Sequence, residues 1–598
     1  ELRVVAAKPD GPADDIVVGE LALVDRPVAD VLNEGSLDVT VADADTAAPL
    51  PCRVTVVDAR GCLMPIGTPS ADGLAVRTGA VYTVGGRANV RLPAGRYTVY
   101  AGRGFEYSVA RAEAVEVRAG AAGDAAKPAR VKLAIRRVVP TPGLVACDTH
   151  VHTFTWSRHG DATAAERAVT LAGEGIELPV STDHNLVIDP RDPIAAAGVG
   201  GFLTPIVGTE MTTPAAGHFN VFPIAPGRPP PDWRARDWPA VVRNIETIVG
   251  PPGPDGPVVI LNHARDVHGN FRPFDPSRHV SLTGEDLDGW PMPANAMEVI
   301  NSGATRQDPM ELYRDWFGML NRGHRLTPIG SSDSHDVTRY IVGQGRTYVR
   351  VDDSDLGKID VAAARKAIRE GRVLVSYGLL ADIRVDGKYG PGDVVPAKDE
   401  IEVEVRVLGP EWTRATRVVL YANGVPVKEA EIKQGAEKPG EKWRTTWRIP
   451  KPRHDVNLVA IATGPGVTAP YWPAAKPYQR ESGAWSPYVI GSTAAVWVDA
   501  DGDGKFEPAV EYARKAVGAG GGPATVLKRL ARSDRAVAAQ AASLLWPTLG
   551  ADAAKRLSEA AGDREVDEQV RWGVQAYVDE RTRCEAARAA RPTTTTAR

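Results

Sequence analysis

The stretch HVHTFTWSRHGD, residues 150 to 161, sets His150 and His152 on alternate positions and follows them with His159 and Asp161. Ten of the chain's eleven histidines fall between residues 150 and 335. They recur there in short motifs: STDHN with Asp183 and His184, GTEM with Glu210, GHFNVF with His218, LNHAR with His263, and SSDSH with Asp333 and His335. Neutral imidazoles and carboxylates that converge without a cofactor motif suit divalent transition metals, which take N and O donors at about 2.0 to 2.2 Å. His150, His152, His159 or Asp161, His184, Glu210, His218, His263, Asp333 and His335 make nine donors, more than one ion takes. The expectation is a site of two or three ions, with imidazole favouring Zn, Mn or Fe over Mg or Ca.

Such residues meet only if the elements between them bring them to one place. From about residue 141 to 377, strand-like runs (IELPVSTDHN, FLTPIVGTEM, HFNVFPI, VVILNHARD, AMEVINS, LTPIGSSDSH) alternate with helix-like ones (ATAAERAVTLAGEG, DPMELYRDWFGMLNRG, VAAARKAIREG). This alternation predicts an α/β barrel or doubly wound sheet. In a barrel the C-terminal strand ends share one face, so residues far apart in sequence converge. The i, i+2 spacing of His150 and His152 on a strand points both rings to the same side.

Around this segment the pattern is different. Residues 1–140 read as short β runs with Gly, Pro and Asp turns (SLDVTVAD, CRVTVVDA, RANVRL, RYTVYAG, AVEVRA), which predicts a β-sandwich. AGAAGDAAKPAR and the PTPG at 140–143 read as its linker to the barrel. Residues 378–498 (ADIRVDG, EIEVEVRVLG, RATRVVLYANG, RTTWRI, DVNLVAIAT) read as a second sandwich, and 499–598 as an acidic loop followed by an alanine-rich helical tail. The terminal RPTTTTAR has nothing to pack and is expected to be disordered.

HVHT, STDHN, GTEM with GHFNVF, LNHAR and GSSDSH resemble the ordered motifs of the PHP (polymerase and histidinol phosphatase) superfamily. The nearest branch is similar to the carbaryl-hydrolase-like metallohydrolases, also in the AIREGRVLVSYG stretch that leaves the barrel. The resemblance covers about residues 143 to 380. It implies a distorted (β/α)7 barrel and says little about the flanking sandwiches, of which the first reads as a carboxypeptidase-regulatory or immunoglobulin-like type. It also implies His150, His152, His184, Glu210, His218, His263, Asp333 and His335 as metal ligands, with Glu210 bridging two ions. The third ligand position takes His or Asp in that family. His159 is preferred here, with Asp161 as the alternative or as an acceptor for an imidazole N–H.

Adjacent metals lower the pKa of a bound water toward about 7 and clamp both attacked and leaving oxygens, so hydrolysis needs no serine or cysteine nucleophile. Arg265, just after His263, is a candidate for stabilising charge on a phosphoryl or carbonyl oxygen. Asp183 is a candidate proton acceptor or support for the neighbouring ligand His184. The expected activity is hydrolysis of a small ester-like bond, a phosphoester or a carbamate, amide or carboxylic ester, in a small-molecule substrate. The sequence lacks the dense Arg/Lys cluster that a phosphomonoester would want, which favours a diester or neutral substrate. A reading of another class makes the barrel an inactive scaffold for an extracellular binding or structural protein; the complete ligand set speaks against it. His268, His279 and His324 lie outside the motifs and read as surface or loop histidines, with His268 the one placed to face substrate.

VDADGDGKFE, with Asp499, Asp501, Asp503, Lys505 and Glu507, resembles the first half of an EF-hand loop and is a candidate calcium site. It departs from that pattern in having Val510 at the twelfth position and a strand before it. Cys52 and Cys62 flank a strand and a turn, and the reading leaves open a bridge or two thiols. The aromatic stretch YWPAAKPYQRESGAW at 471–485 could line a sugar or aryl-group site, but such residues more often bridge domains. A net charge of −4 gives no basic excess for nucleic acid, and no apolar run reaches the ~20 residues that span a bilayer. The start at Glu1 fits a processed secreted protein or a shortened chain. With the calcium-like loop, it gives an extracytoplasmic expectation.

Overall fold

A computed structural model of the protein describes residues 27–120, 127–250, 253, 255–433, 435, 437–477 and 485–591. Parts of four sequence expectations lie outside the described residues: 1–26 of the first sandwich, 121–126 of the linker, 478–484 of the aromatic stretch and 592–598 of the RPTTTTAR end.

Between residues 35 and 135 the short β runs form two sheets. One is antiparallel in the order Leu74–Arg77, Ala80–Thr83, Cys52–Val57, Gly95–Gly102, Ala110–Val117. In the other, Gly35–Asp43 lies between Arg87–Leu92, antiparallel to it, and Ala129–Ile135, parallel to it. Strand alternation turns Leu37, Val39 and Val41 inward to share one core with Val54, Val56 and Val99 of the first sheet. Cys52 is buried, and both Cys52 and Cys62 are free thiols.

The centre of the molecule is a strongly curled nine-strand half-barrel. Its order is Ile206–Val207, Leu178–Ser181, Leu144–Val151, Arg346–Arg350, Val373–Tyr377, Tyr488–Thr493, Val456–Pro465, Arg417–Ala422, Val425–Glu431. The sheet thus crosses the change in sequence pattern at 377/378 without a break, because Val373–Tyr377 pairs antiparallel with Tyr488–Thr493. A second sheet orders Thr209–Thr212, His218–Phe222, Val258–Leu261, Ala296–Asn301 and Thr327–Ser331. Leu144–Val151, Val258–Leu261, Ala296–Asn301 and Thr327–Ser331 are buried along their whole length, and so show no alternation of apolar and polar residues. Only residues 213–217 separate Thr209–Thr212 from His218–Phe222, too few for a parallel crossover, and these two strands run antiparallel. Two parallel bridges, His184 to Glu210 and Val151 to Ser334, join the ends of this sheet to the half-barrel.

Residues predicted as helices are helices. Ala164–Gly173 starts at a capping box in which Thr163 accepts from the Glu166 N–H and Glu166 accepts from the Thr163 N–H. Glu311–Asn321 and Val361–Arg369 follow the same sequence reading. The C-terminal helices, among them Arg535–Leu549 and Glu568–Ala589, enclose a core of Val537, Leu545, Leu557 and Tyr577 that also takes in Val280 of the central region. Glu580 accepts from the Ser281 and Leu282 N–H groups, and Arg581 pairs with Glu285 at 2.6 Å. The helical region is docked on the central region through these contacts. Tyr471 packs on Tyr100 with ring centroids 5.2 Å apart, so the described part of the aromatic stretch touches the N-terminal sheets. No helix among the described residues is long and apolar enough to cross a membrane.

Candidate metal centre

The motif residues stand where strands end. Leu144–Val151 carries His150 and delivers His152, and Leu178–Ser181 leads to Asp183 and His184. Thr209–Thr212 holds Glu210, and His218–Phe222 opens with His218. Val258–Leu261 leads to His263, and Thr327–Ser331 to Asp333 and His335.

Glu210, 1% exposed, is the hub. Its Oε1 lies 3.3 Å from His150 Nε2, 3.2 Å from His218 Nδ1 and 3.5 Å from His263 Nε2. Its Oε2 lies 2.5 Å from His184 Nδ1 and 3.8 Å from His152 Nε2. Asp333 Oδ1 is 3.2 Å from His150 Nε2 and 3.3 Å from His152 Nε2. Four overlapping groups offer donors within 4.8 Å of one another: His152/His184/His335, His150/His152/Glu210, His150/His263/Asp333 and His218/His263/His268.

Three buried imidazole nitrogens in this cluster, His150 Nε2 and both nitrogens of His152, have no hydrogen-bond partner among the described residues. Buried polar atoms without partners are costly, and nitrogens of this kind among carboxylates are the donor set of a divalent ion. The residues present therefore fit a polynuclear metal group. The electrostatics carry the same strain. Burial works against the His150 cation, yet Asp333, Glu298 and Glu210 hold its pKa well above the ordinary value. His152 is pushed well below by burial and by His335 and His184. Burial opposes the Glu210 charge, but His218, His184 and His150 hold its carboxyl well below the usual range. His335 is lowered to about 4, mainly by burial. His263 (φ 25°) and Asp333 (φ 53°) also take positive φ, uncommon for residues other than glycine.

The structure brings His159, not Asp161, to the imidazoles. The His159 ring centre lies 4.2 Å from that of His335, and its Nδ1 is 3.4 Å from His184 Nε2. Asp161 accepts instead from Arg77 Nε at 2.9 Å and from the Val337 N–H at 2.8 Å. Gly160 makes this approach possible: at φ 77°, a Cβ there would stand 2.4 Å from the His335 carbonyl oxygen. Asp183 is fully buried and accepts from the Thr153 N–H and hydroxyl and from Ser157, so it ties down the loop after His152. Arg265 turns its guanidinium to Asp315 at 2.6 Å and lies near Glu311 at 3.8 Å. His279, read from sequence as a surface or loop residue, is buried between Asp315 and Phe274.

Sequence reasoning missed the residues that support the cluster, among them Glu298, Asn262 and Arg167. Glu298 accepts from His150 Nδ1 at 2.7 Å and from the His263 N–H at 2.6 Å; its one signal was a glutamate inside the apolar run AMEVIN. The Asn262 amide donates to Glu210 Oε1 at 3.1 Å. Arg167, 3% exposed, donates to the carbonyls of His152 and Ser334 and to the Ser334 hydroxyl, each at 3.0 Å.

At the acidic loop, Asp499 and Asp501 meet Asp455, a residue outside the motif. Asp499 already accepts from the Gly502 and Gly504 N–H groups, Asp503 from the Lys505 N–H, and Glu507 pairs with Lys515. No family model matches the chain, and no curated protein matches it.

Proposed function

We propose that the protein is a PHP-type hydrolase dependent on two or three divalent transition ions, and that it cleaves a small ester-like bond. The observation that carries this reading is Glu210, one buried carboxylate within 3.8 Å of imidazole nitrogens from five histidines. A carboxylate so shared suits a bridge between adjacent ions. A count around the two sheets supports the (β/α)7 barrel: Leu144–Val151, Leu178–Ser181, Thr209–Thr212, His218–Phe222, Val258–Leu261, Ala296–Asn301 and Thr327–Ser331 form a ring of seven through the two bridges.

His150, His152, Glu210 and Asp333 would hold a central ion, with His159, His184 and His335 on one flank and His218 and His263 on the other. Imidazole-rich donors favour Zn, Mn or Fe. Bound there, such ions supply Lewis acidity and an activated water at neutral pH. The chain's own part is orientation: Glu298 fixes the His150 ring, and Thr212 Oγ1, 2.9 Å from His184 Nδ1, fixes that of His184. With the Arg265 guanidinium turned to Asp315, a carbamate, carboxylic ester or phosphodiester suits the site better than a doubly charged phosphomonoester. We place the protein outside the cytoplasm, on the strength of its acidic, calcium-like loop.

The test is metal content per chain by mass spectrometry on protein prepared without chelators, followed by a hydrolysis screen of phosphodiesters against aryl carbamates and esters. Two or three equivalents of Zn, Mn or Fe and turnover of one class are expected. Protein that stays metal-free after reconstitution would overturn the reading.

A further inference from the structure

His268 belongs to none of the motifs, yet it stands in the cluster. Its ring centre is 4.4 Å from that of His218 and 4.5 Å from that of His263, and the three residues offer nitrogens within 4.8 Å of one another. We propose that His268 is a protein ligand of the divalent ion held by His218 and His263, making that flank a three-imidazole site closed by Glu210. The proposal rests on the polynuclear reading above and adds a donor to it.

The loop that carries His268 is built to hold it there. His268 and Phe271 exchange both backbone hydrogen bonds, at 2.9 Å each. Between them Gly269 (φ 56°) and Asn270 (φ 62°) form the tight turn with two positive φ values that Gly and Asn favour. The turn is seated on the segment leading to His218: a Cβ on Gly269 would lie 2.5 Å from the Pro214 carbonyl oxygen, and one on Gly217 would lie 2.7 Å from Pro273 Cγ. Phe271 stacks on Trp290, and Arg278 sits 4.4 Å over both rings. The end of the loop is tied back by the Phe274 N–H donating to the Ala264 carbonyl at 2.8 Å. His268 is thus presented by a braced hairpin whose position depends on the same segment that presents His218.

The donor count gives the consequence. His218 and His263 with Glu210 would supply three protein donors, the number typical of catalytic sites, and His268 would raise this to four, the number typical of structural sites. With four protein donors there, as at the central position, the flank of His159, His184 and His335 would be the one left open to solvent or substrate.

The test is a chelator-competition titration with Zn and Co(II) on the full-length protein, the His268→Ala variant and the His268→Cys variant. Loss of an outer partner of a ligand already weakens binding by about 10- to 100-fold, and loss of a ligand costs no less. His268→Ala is expected to release one equivalent at least tenfold more easily while the others are unchanged. The cobalt form of His268→Cys is expected to gain a near-ultraviolet thiolate-to-cobalt absorption. Native affinity for every equivalent in His268→Ala would overturn the proposal, as would the absence of that absorption in a cobalt-loaded, folded His268→Cys protein. Wild-type protein that takes up no divalent ion would overturn the polynuclear reading itself, and this proposal with it.

Discussion

Glu298 Oε1 lies 2.7 Å from His150 Nδ1, and neither side chain is exposed to solvent. The carboxylate is itself held by the His263 N–H, the Asn301 amide and the Ser331 hydroxyl. Accepting Nδ1–H selects one tautomer of His150 and leaves Nε2 as the donor, between Glu210 and Asp333. Glu298→Gln removes the charge that makes this preference strong. It is expected to weaken metal binding by about 10- to 100-fold with the far-ultraviolet dichroism unchanged. Chelator competition reads the effect, and native affinity would show that the pair orients nothing.

Removing the donors themselves should be harsher. His150 and His152 are fully buried and each lies close to both Glu210 and Asp333. Alanine at either position is expected to lower turnover by more than about 100-fold, beyond the cost of losing an outer partner. Steady-state rates on the substrate class found in the screen give the answer. Turnover that survived both substitutions would mean that chemistry occurs elsewhere in the molecule.

What could be read in the sequence follows from what chemistry demands of single residues. Metal donors are confined to a few residue types, and strands place them at their ends, so His150, His152, His184 and Glu210 stood out before any contact was known. Glu298 did not, because a buried hydrogen-bond acceptor in a strand is distinguished from a solvent-facing glutamate only by its partners. Asp455 was hidden by its distance in sequence from Asp499, and Arg77, which takes up Asp161, sits in a different part of the chain. The continuation of the half-barrel past residue 377 was equally hidden, because it depends on the pairing of Tyr377 with Ile490. His268 fell between these cases: its residue type was right, but its role depends on a turn that folds back onto Pro214.

Arg167 joins the helix Ala164–Gly173 to the two strand ends that carry His152 and His335. Hydrogen bonds from a charged donor contribute about 1.5 to 3 kcal/mol each, and the buried carbonyls left behind would add to the loss. Arg167→Met is expected to destabilise the fold by roughly 2 to 4 kcal/mol and to weaken metal binding along with it. Denaturant unfolding with and without metal separates the two effects. A variant of native stability and native affinity would mean that the strand ends need no clamp.

Glu177 supplies a pH test remote from the metal ligands. It sits at the junction of the N-terminal sheets and the central region, where Arg137 lies 3.9 Å from its Oε1 and forms a shorter ion pair with Glu106. Burial first, and then the Glu106 charge, push the Glu177 carboxyl up to about 7, against the pull of the Ala146 N–H, Arg137 and Arg103. A raised carboxyl pKa means that the folded chain binds the proton more readily than the unfolded one, whose value is about 4.3. Stability from this group is therefore fully present at the acid end of the window and is lost as pH rises from about 4.3 to about 7, by on the order of 3 to 4 kcal/mol. Glu177→Gln keeps an oxygen for the Ala146 N–H but cannot ionise. Its thermal midpoint is expected to change less than that of the native protein between pH 5 and 8, measured by calorimetry with metal held constant. Parallel pH profiles for the two proteins would show that Glu177 is ionised throughout.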